Sequence, residues 1–254
     1  MAWGHQTAAY SSVGHTLMEA NKDGISPEFL LDLRQAFRVP RGRYSYERAS
    51  QLSGVPTRTL HHWARTEFMV PDFADLTPKM WSYRDLVFLR LTAWLRAKSM
   101  PPAYVAALVG DVQSRLEQSD ETRIVKSDGR VVVLGDALED WFTGQTILKE
   151  VAPHLLDEFD LLAPIGVNDL GRRRLWGPNL VFPTSRTSIA PWVMSGEPVL
   201  KNSRIATGSL YALHFERGLD ADAIAQLYPG TEPDSVRDAI ALEDHLRRHL
   251  PLAA

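Results

Sequence analysis

The chain has 254 residues, 44% of them hydrophobic, no cysteine and a formal net charge of −3. That length supports one large or two to three small domains with real cores, and the missing thiol excludes disulfide frameworks, thiol nucleophiles and thiolate metal sites. No secretory core and no run of about 18 apolar residues occurs, so the expected setting is cytoplasmic, with no membrane partner.

Residues 1–43 read as an N-terminal arm and helix. Ser26 precedes Pro27 at a first helical position, and Phe29, Leu30, Leu33 and Phe37 recur at three-to-four spacing until Pro40. Residues 44–120 follow as helix, turn, helix, loop, helix, helix. The first short helix covers Ser45 to Ser53, and Gly54 supplies the left-handed backbone of a sharp turn. The second covers Pro56 to Arg65, with Val55, Leu60 and Trp63 inward and Thr57, Arg58, His61, His62 and Arg65 mostly outward. After the loop, Tyr83 to Lys98 forms a long helix on which Leu86, Leu89, Arg90, Ala93 and Ala97 mix core and solvent positions. Pro101 and Pro102 restart the chain into another helix, to about Leu116.

Residues 121–162 form a hairpin and an acidic helical segment, the hairpin turning at Asp128-Gly129 between two β-rich runs. Residues 163–195 are basic and punctuated by proline and glycine, as a linker is. From 196 to 254 the pattern is helical again, its last helix capped at Thr231. Charge follows these divisions, with net +5 over 41–98, −7 over 99–160 and +3 over 161–195. Two basic blocks therefore alternate with acidic ones.

A helix, a glycine turn and a second helix with arginine and histidine outward is the arrangement that puts a helix in the major groove of DNA. Tyr44-Ser45-Tyr46, Leu52-Ser53-Gly54-Val55, Arg58-Thr59-Leu60 and Trp63, followed by Tyr83-Arg84-Asp85-Leu86 and Leu89-Arg90, resemble the MerR-type winged helix-turn-helix. His61, Ala64 and Ser50 stand where that family usually has arginine, an acidic residue and alanine, and Asp72 to Met80 takes the place of its wing. The resemblance implies DNA contacts from Thr57, Arg58, His61, His62 and Arg65, with Arg43 and Arg84 on phosphate.

A second resemblance lies near the C-terminus. Gly196-Glu197-Pro198-Val199-Leu200 and Asn202-Ser203-Arg204-Ile205, then Gly218 to Ala225, Tyr228-Pro229 and Val236 to Ala239, look like the bacterial domain of unknown function 433. This implies a three-helix domain. The expected fold class is therefore mainly α with small β elements, a winged helix-turn-helix domain plus a C-terminal three-helix domain.

The pair of domains together resembles the VapB-type antitoxins, whose toxins are PIN-type ribonucleases. That resemblance implies an antitoxin that neutralises such a toxin and represses its own operon on operator DNA. The alternative is a MerR-like regulator sensing a small molecule. Within the basic 163–195 segment, Arg172, Arg173 and Arg174 beside Trp176 are the expected toxin-binding residues, because a metal-dependent ribonuclease gathers carboxylates that arginines complement. Val236, Ile240, Leu246 and Leu250 form an apolar row longer than a 50-residue domain easily buries, which predicts a homodimer through the last helix.

No His-Glu-x-x-His, Gly-x-Ser-x-Gly, phosphate-loop or dinucleotide fingerprint occurs. His61 and His62 point about 100° apart on a helix and do not jointly grip a metal. No catalytic residues, metal or cofactor are expected, and the chain is not read as an enzyme.

Overall fold

Capping chemistry sets the first helix boundaries. The computed structural model describes residues 27–97, 101–118, 124–127, 130–133, 162–167 and 175–248. Among these, eight α-helices accompany three two-stranded antiparallel sheets. Helix α1 (Pro27–Arg38) turns Leu33, Ala36 and Phe37 inward. At α2 (Tyr46–Ser53), Ser45 caps the N-terminus by accepting the Arg48 N–H at 3.1 Å. Gly54, at φ 75°, closes it by donating its N–H to the Ser50 carbonyl at 2.9 Å. Three residues later α3 (Thr57–Arg65) begins. Only Leu60 of this helix is fully buried, with Trp63 and Ala64 half-buried against the same core, so the opposite side is left exposed.

The loop from 71 to 81 is drawn into a narrow ribbon by two antiparallel bridges, Phe73 with Met80 and Tyr44 with Trp81. Next comes α4 (Tyr83–Ala97), whose residues 83–93 are all buried. Its start is a capping box: Ser82 Oγ accepts from the Asp85 N–H at 3.1 Å, and Asp85 Oδ2 accepts from the Ser82 N–H at 2.8 Å. Helix α5 (Pro102–Gln118) packs against α4. The mixture of core and solvent positions expected on α4 is corrected at Arg90, which is fully buried. Its guanidinium donates to the carbonyls of Leu52 (2.7 Å), Ala163 (2.9 Å) and Pro178, so backbone oxygens replace the water it lost.

The predicted hairpin is present as β1 (Ile124–Ser127) and β2 (Arg130–Val133), with Ser127 opposite Arg130. The acidic helical segment expected after it, up to residue 161, lies outside the described residues. Strands β3 (Ile165–Val167) and β4 (Leu175–Gly177) form a second hairpin. The described parts of the expected linker are packed, not tether-like: Leu180, Val181 and Ile189 are buried in the same core as α1 to α4. At Gly177 a Cβ would stand 2.7 Å from Arg90 Nη2 and 2.8 Å from the Leu52 carbonyl oxygen, so only glycine lets this segment close over the arginine.

Strands β5 (Thr187–Ser188) and β6 (Val199–Leu200) pair and lead into α6 (Thr207–Arg217), α7 (Ala221–Leu227) and α8 (Pro233–Arg248). Asp220 caps α7 by accepting the Ala223 N–H. Helix α8 starts at Pro233 and not from a Thr231 cap; the Glu232 carbonyl receives the Ser235 and Val236 N–H groups. A second core gathers Leu200, Leu210, Ala221, Ile224, Ala225, Val236 and Ala239. Leu242 and Leu246 of α8 belong instead to the first core. The last helix thus fills two cores in succession.

Candidate nucleic-acid interface

The exposed side of α3 carries the residues that the sequence singled out. Arg58, His61, His62 and Arg65 are exposed and Thr57 is half-buried, while Leu60 anchors the opposite side. Three-to-four spacing brings Arg58, His61, His62 and Arg65 along one side of a helix of under three turns. Tyr46 of α2 stacks flat on His61, with ring centroids 3.9 Å apart at an interplanar angle of 8°. The same tyrosine meets Trp81 edge-on at 5.7 Å. One aromatic ring therefore joins the α3 surface to the base of the 71–81 ribbon.

Arg43 is exposed at the foot of that ribbon, its guanidinium 5.4 Å from the centre of the Phe73 ring. Its backbone N–H donates to the Ser195 carbonyl at 2.8 Å, and the neighbouring Tyr44 hydroxyl donates to the Gly196 carbonyl at 2.9 Å. Lys79 is exposed near the ribbon tip, with Asp75 as the opposing charge.

Arg84 differs from the expectation of a phosphate contact. It is buried, its guanidinium pairs with the Asp72 carboxylate at 2.5 Å, and it donates to the Phe37 carbonyl at 2.8 Å. Asp72, placed in the wing by sequence, folds back on the helix start and also accepts from the Ser82 hydroxyl. A guanidinium held this way is part of the scaffold and is not presented to a ligand.

The apolar row on the last helix is corrected as well. Val236 is fully buried in the second core and Leu246 in the first, and Ile240 packs on the second. Leu250 lies outside the described residues. Two cores, rather than one small domain, absorb the surplus that suggested a dimer face. Arg172, Arg173 and Arg174 also lie outside the described residues. Trp176 stands in β4 opposite Gly166.

The structure adds a buried polar junction that sequence reading missed. Glu243 of α8, fully buried, accepts from Arg48 Nη1 (3.1 Å), Arg48 Nη2 (3.0 Å) and Thr207 Oγ1 (2.6 Å). Arg48 of α2 also donates to Glu197 at 2.9 Å and to Gln51 Oε1 at 2.9 Å. Burial by itself lowers the pKa of Arg48, but Glu243 and Glu197 more than offset this and the net shift is upward. The first helix of the α2–α3 pair is thereby clamped to the C-terminal unit. No local pattern signals this, since Arg48 and Glu243 stand 195 residues apart.

Residues 188–242, from β5 into α8, match the family described as "Protein of unknown function (DUF433)". No curated protein matches the chain, and no solved structure does. Among the described residues, no helix is long and apolar enough to cross a membrane.

Proposed function

We propose that this chain is a DNA-binding antitoxin of a type II toxin–antitoxin system, which holds operator DNA with α3 and neutralises a PIN-type ribonuclease. In this reading α2, the Gly54 turn and α3 act as a MerR-like helix-turn-helix, with the 71–81 ribbon as its wing. The observation that carries the DNA-binding part is the exposed row Arg58, His61, His62 and Arg65, opposite a fully buried Leu60, on a helix positioned by a glycine-closed neighbour. Arg43 and Lys79 supply cations on the ribbon beside it. The toxin-neutralising part rests on the resemblance of the paired domains to VapB-type antitoxins. Arg172, Arg173, Arg174 and Trp176 are its proposed contacts.

Arg58 is the proposed base reader, because a guanidinium makes two parallel hydrogen bonds to guanine. Arg58→Ala is expected to cost about 1–3 kcal/mol against operator DNA and to relax preference at one base position. Arg43→Ala is expected to weaken binding to all sequences alike and to flatten the salt dependence by about one phosphate contact. Gel shifts on DNA from upstream of the reading frame, across a salt series, measure both. Unchanged affinity in Arg58→Ala removes α3 as the reading helix. Co-expression with the product of the adjacent reading frame, followed by size exclusion and a ribonuclease assay, tests the toxin part separately. A homodimer is proposed on the ground that a small reading head needs two half-sites for affinity.

A further inference from the structure

Tyr46 is the middle ring of three. Trp81 is fully buried in the first core, Tyr46 is half-buried and meets it edge-on at 5.7 Å, and His61 is exposed and lies flat on Tyr46 at 3.9 Å. A chain of aromatic contacts thus runs from the core to the outer side of α3 and ends on a histidine. The His61 ring nitrogens make no hydrogen bond with any described residue, and neither does the Tyr46 hydroxyl. The stack therefore fixes the plane of the imidazole and leaves its polar edge open.

An interplanar angle of 8° is a parallel contact, which favours the stacked rotamer over its alternatives by about two- to tenfold. A side chain already held in one orientation gives up little rotational freedom on association, so it discriminates sharply between a partner that fits its edge and one that does not. His61 stands three residues after Arg58, on the same side of α3. Side chains three apart on a helix in the major groove reach neighbouring base pairs, as those of zinc fingers do. A neutral imidazole carries one N–H donor. In the major groove, adenine and guanine both offer N7 as an acceptor, and pyrimidines have no such atom.

We infer that Tyr46 is a positioning residue for His61, and that His61, held flat on its ring, donates to N7 of a purine next to the base read by Arg58. This rests on the reading of α3 as the helix that enters DNA. It adds a second specified base and names the side chain that makes it specific. Tyr46 acts through its ring and not through its hydroxyl.

Selection of bound sequences from duplexes of random sequence, followed by gel shifts on the selected site, tests this on the full-length chain. The parent is expected to prefer a purine over a pyrimidine by about three- to tenfold at a position beside the one that Arg58→Ala relaxes. His61→Ala and Tyr46→Leu are each expected to erase that purine preference and to keep the Arg58-dependent one, and the double variant to lose nothing further. Tyr46→Phe retains the ring and is expected to retain the preference. In the free protein the tyrosine ring shifts the His61 ring-proton resonances upfield, and they are expected to move downfield in Tyr46→Leu and to stay in Tyr46→Phe. His61 is exposed, so His61→Ala keeps the fold and decides the matter where Tyr46→Leu disturbs α2. A purine preference that survives His61→Ala or Tyr46→Leu, or that is lost in Tyr46→Phe, overturns the inference and leaves α3 as the reading helix. A parent chain that binds no duplex, or an Arg58→Ala variant that binds as the parent does, overturns the reading and the inference together.

Discussion

Asp85 is a residue whose position sets two requirements against each other. As the third residue of α4 it is placed to cap the helix, and the cap favours its charged form, yet burial beside Asp72 favours the neutral one. The folded-state value of about 7 lies above the ordinary value of 3.8, so the folded chain holds this proton more tightly than the unfolded chain does. Stability from this group is therefore complete below the unfolded value and is lost as the pH rises from about 4 through about 7. Asp85→Asn removes that loss, and its melting temperature relative to the parent is expected to climb between pH 4 and pH 8. A constant difference across the range contradicts the assignment. Glu243 is a buried carboxylate that accepts from both terminal nitrogens of Arg48. Glu243→Ala leaves Arg48 buried with Glu197 as its remaining carboxylate partner, and is expected to cost about 3–5 kcal/mol in urea unfolding. Replacing both Arg48 and Glu243 by apolar residues of similar volume is expected to cost much less, since the two most buried charges leave together and the groups that lose a partner, Glu197 and Arg247, reach solvent.

Among the elements, the α2–α3 pair has little material of its own. Its two helices have 8 and 9 residues, too short to persist without neighbours, so their geometry comes from the turn and from packing on α4. Gly54 at φ 75° fixes the exit from α2, and an L side chain there pays for the left-handed backbone. Gly54→Ala is expected to lower stability by about 1–2 kcal/mol, with Gly54→Asn intermediate, because asparagine tolerates that conformation better. If α3 is the reading helix, operator affinity measured by gel shift falls in the same order. Equal stability of all three proteins in thermal melts argues against the cap as the determinant of the turn.

At the scale of the whole molecule, α8 ties the two cores into one body. Val236 and Ala239 fill the second core, Leu242 and Leu246 the first, and Glu243 joins the Arg48 junction between them. Burying Leu242 and Leu246 contributes about 1.5–3 kcal/mol each, and all of it is lost if the C-terminal unit separates. The two units are expected to unfold together. Tryptophan fluorescence tests this well, because the last of the 7 tryptophans is Trp192 and the second core contains none. Trp63, Trp81 and Trp94 make fluorescence a reporter of the first core, circular dichroism reports all helices, and their urea transitions are expected to coincide. Two separated transitions mean independent domains. By the same reasoning a fragment from 190 to 254 lacks the first-core partners of Leu242 and Leu246 and the Arg48 that donates to Glu243, and its α8 loses the contacts that order its second half.

What the sequence determined by itself is what depends on near neighbours. The glycine-closed turn, the outward row on α3, the Asp128-Gly129 hairpin and the core face of α1 all follow from spacing and local backbone preference, which act over a few residues. Tertiary structure decided the rest, wherever a side chain's role depends on what lies opposite it. Arg84 reads as a phosphate ligand until Asp72 folds onto it, Arg90 as a solvent residue until three carbonyls close around it, and residues 175–195 as a tether until Gly177 lets them pack. The row on α8 reads as a dimer face because periodicity reports that a helix side is apolar and not which core receives it. Burial is a property of pairs distant in the chain, and only the folded chain brings those pairs together.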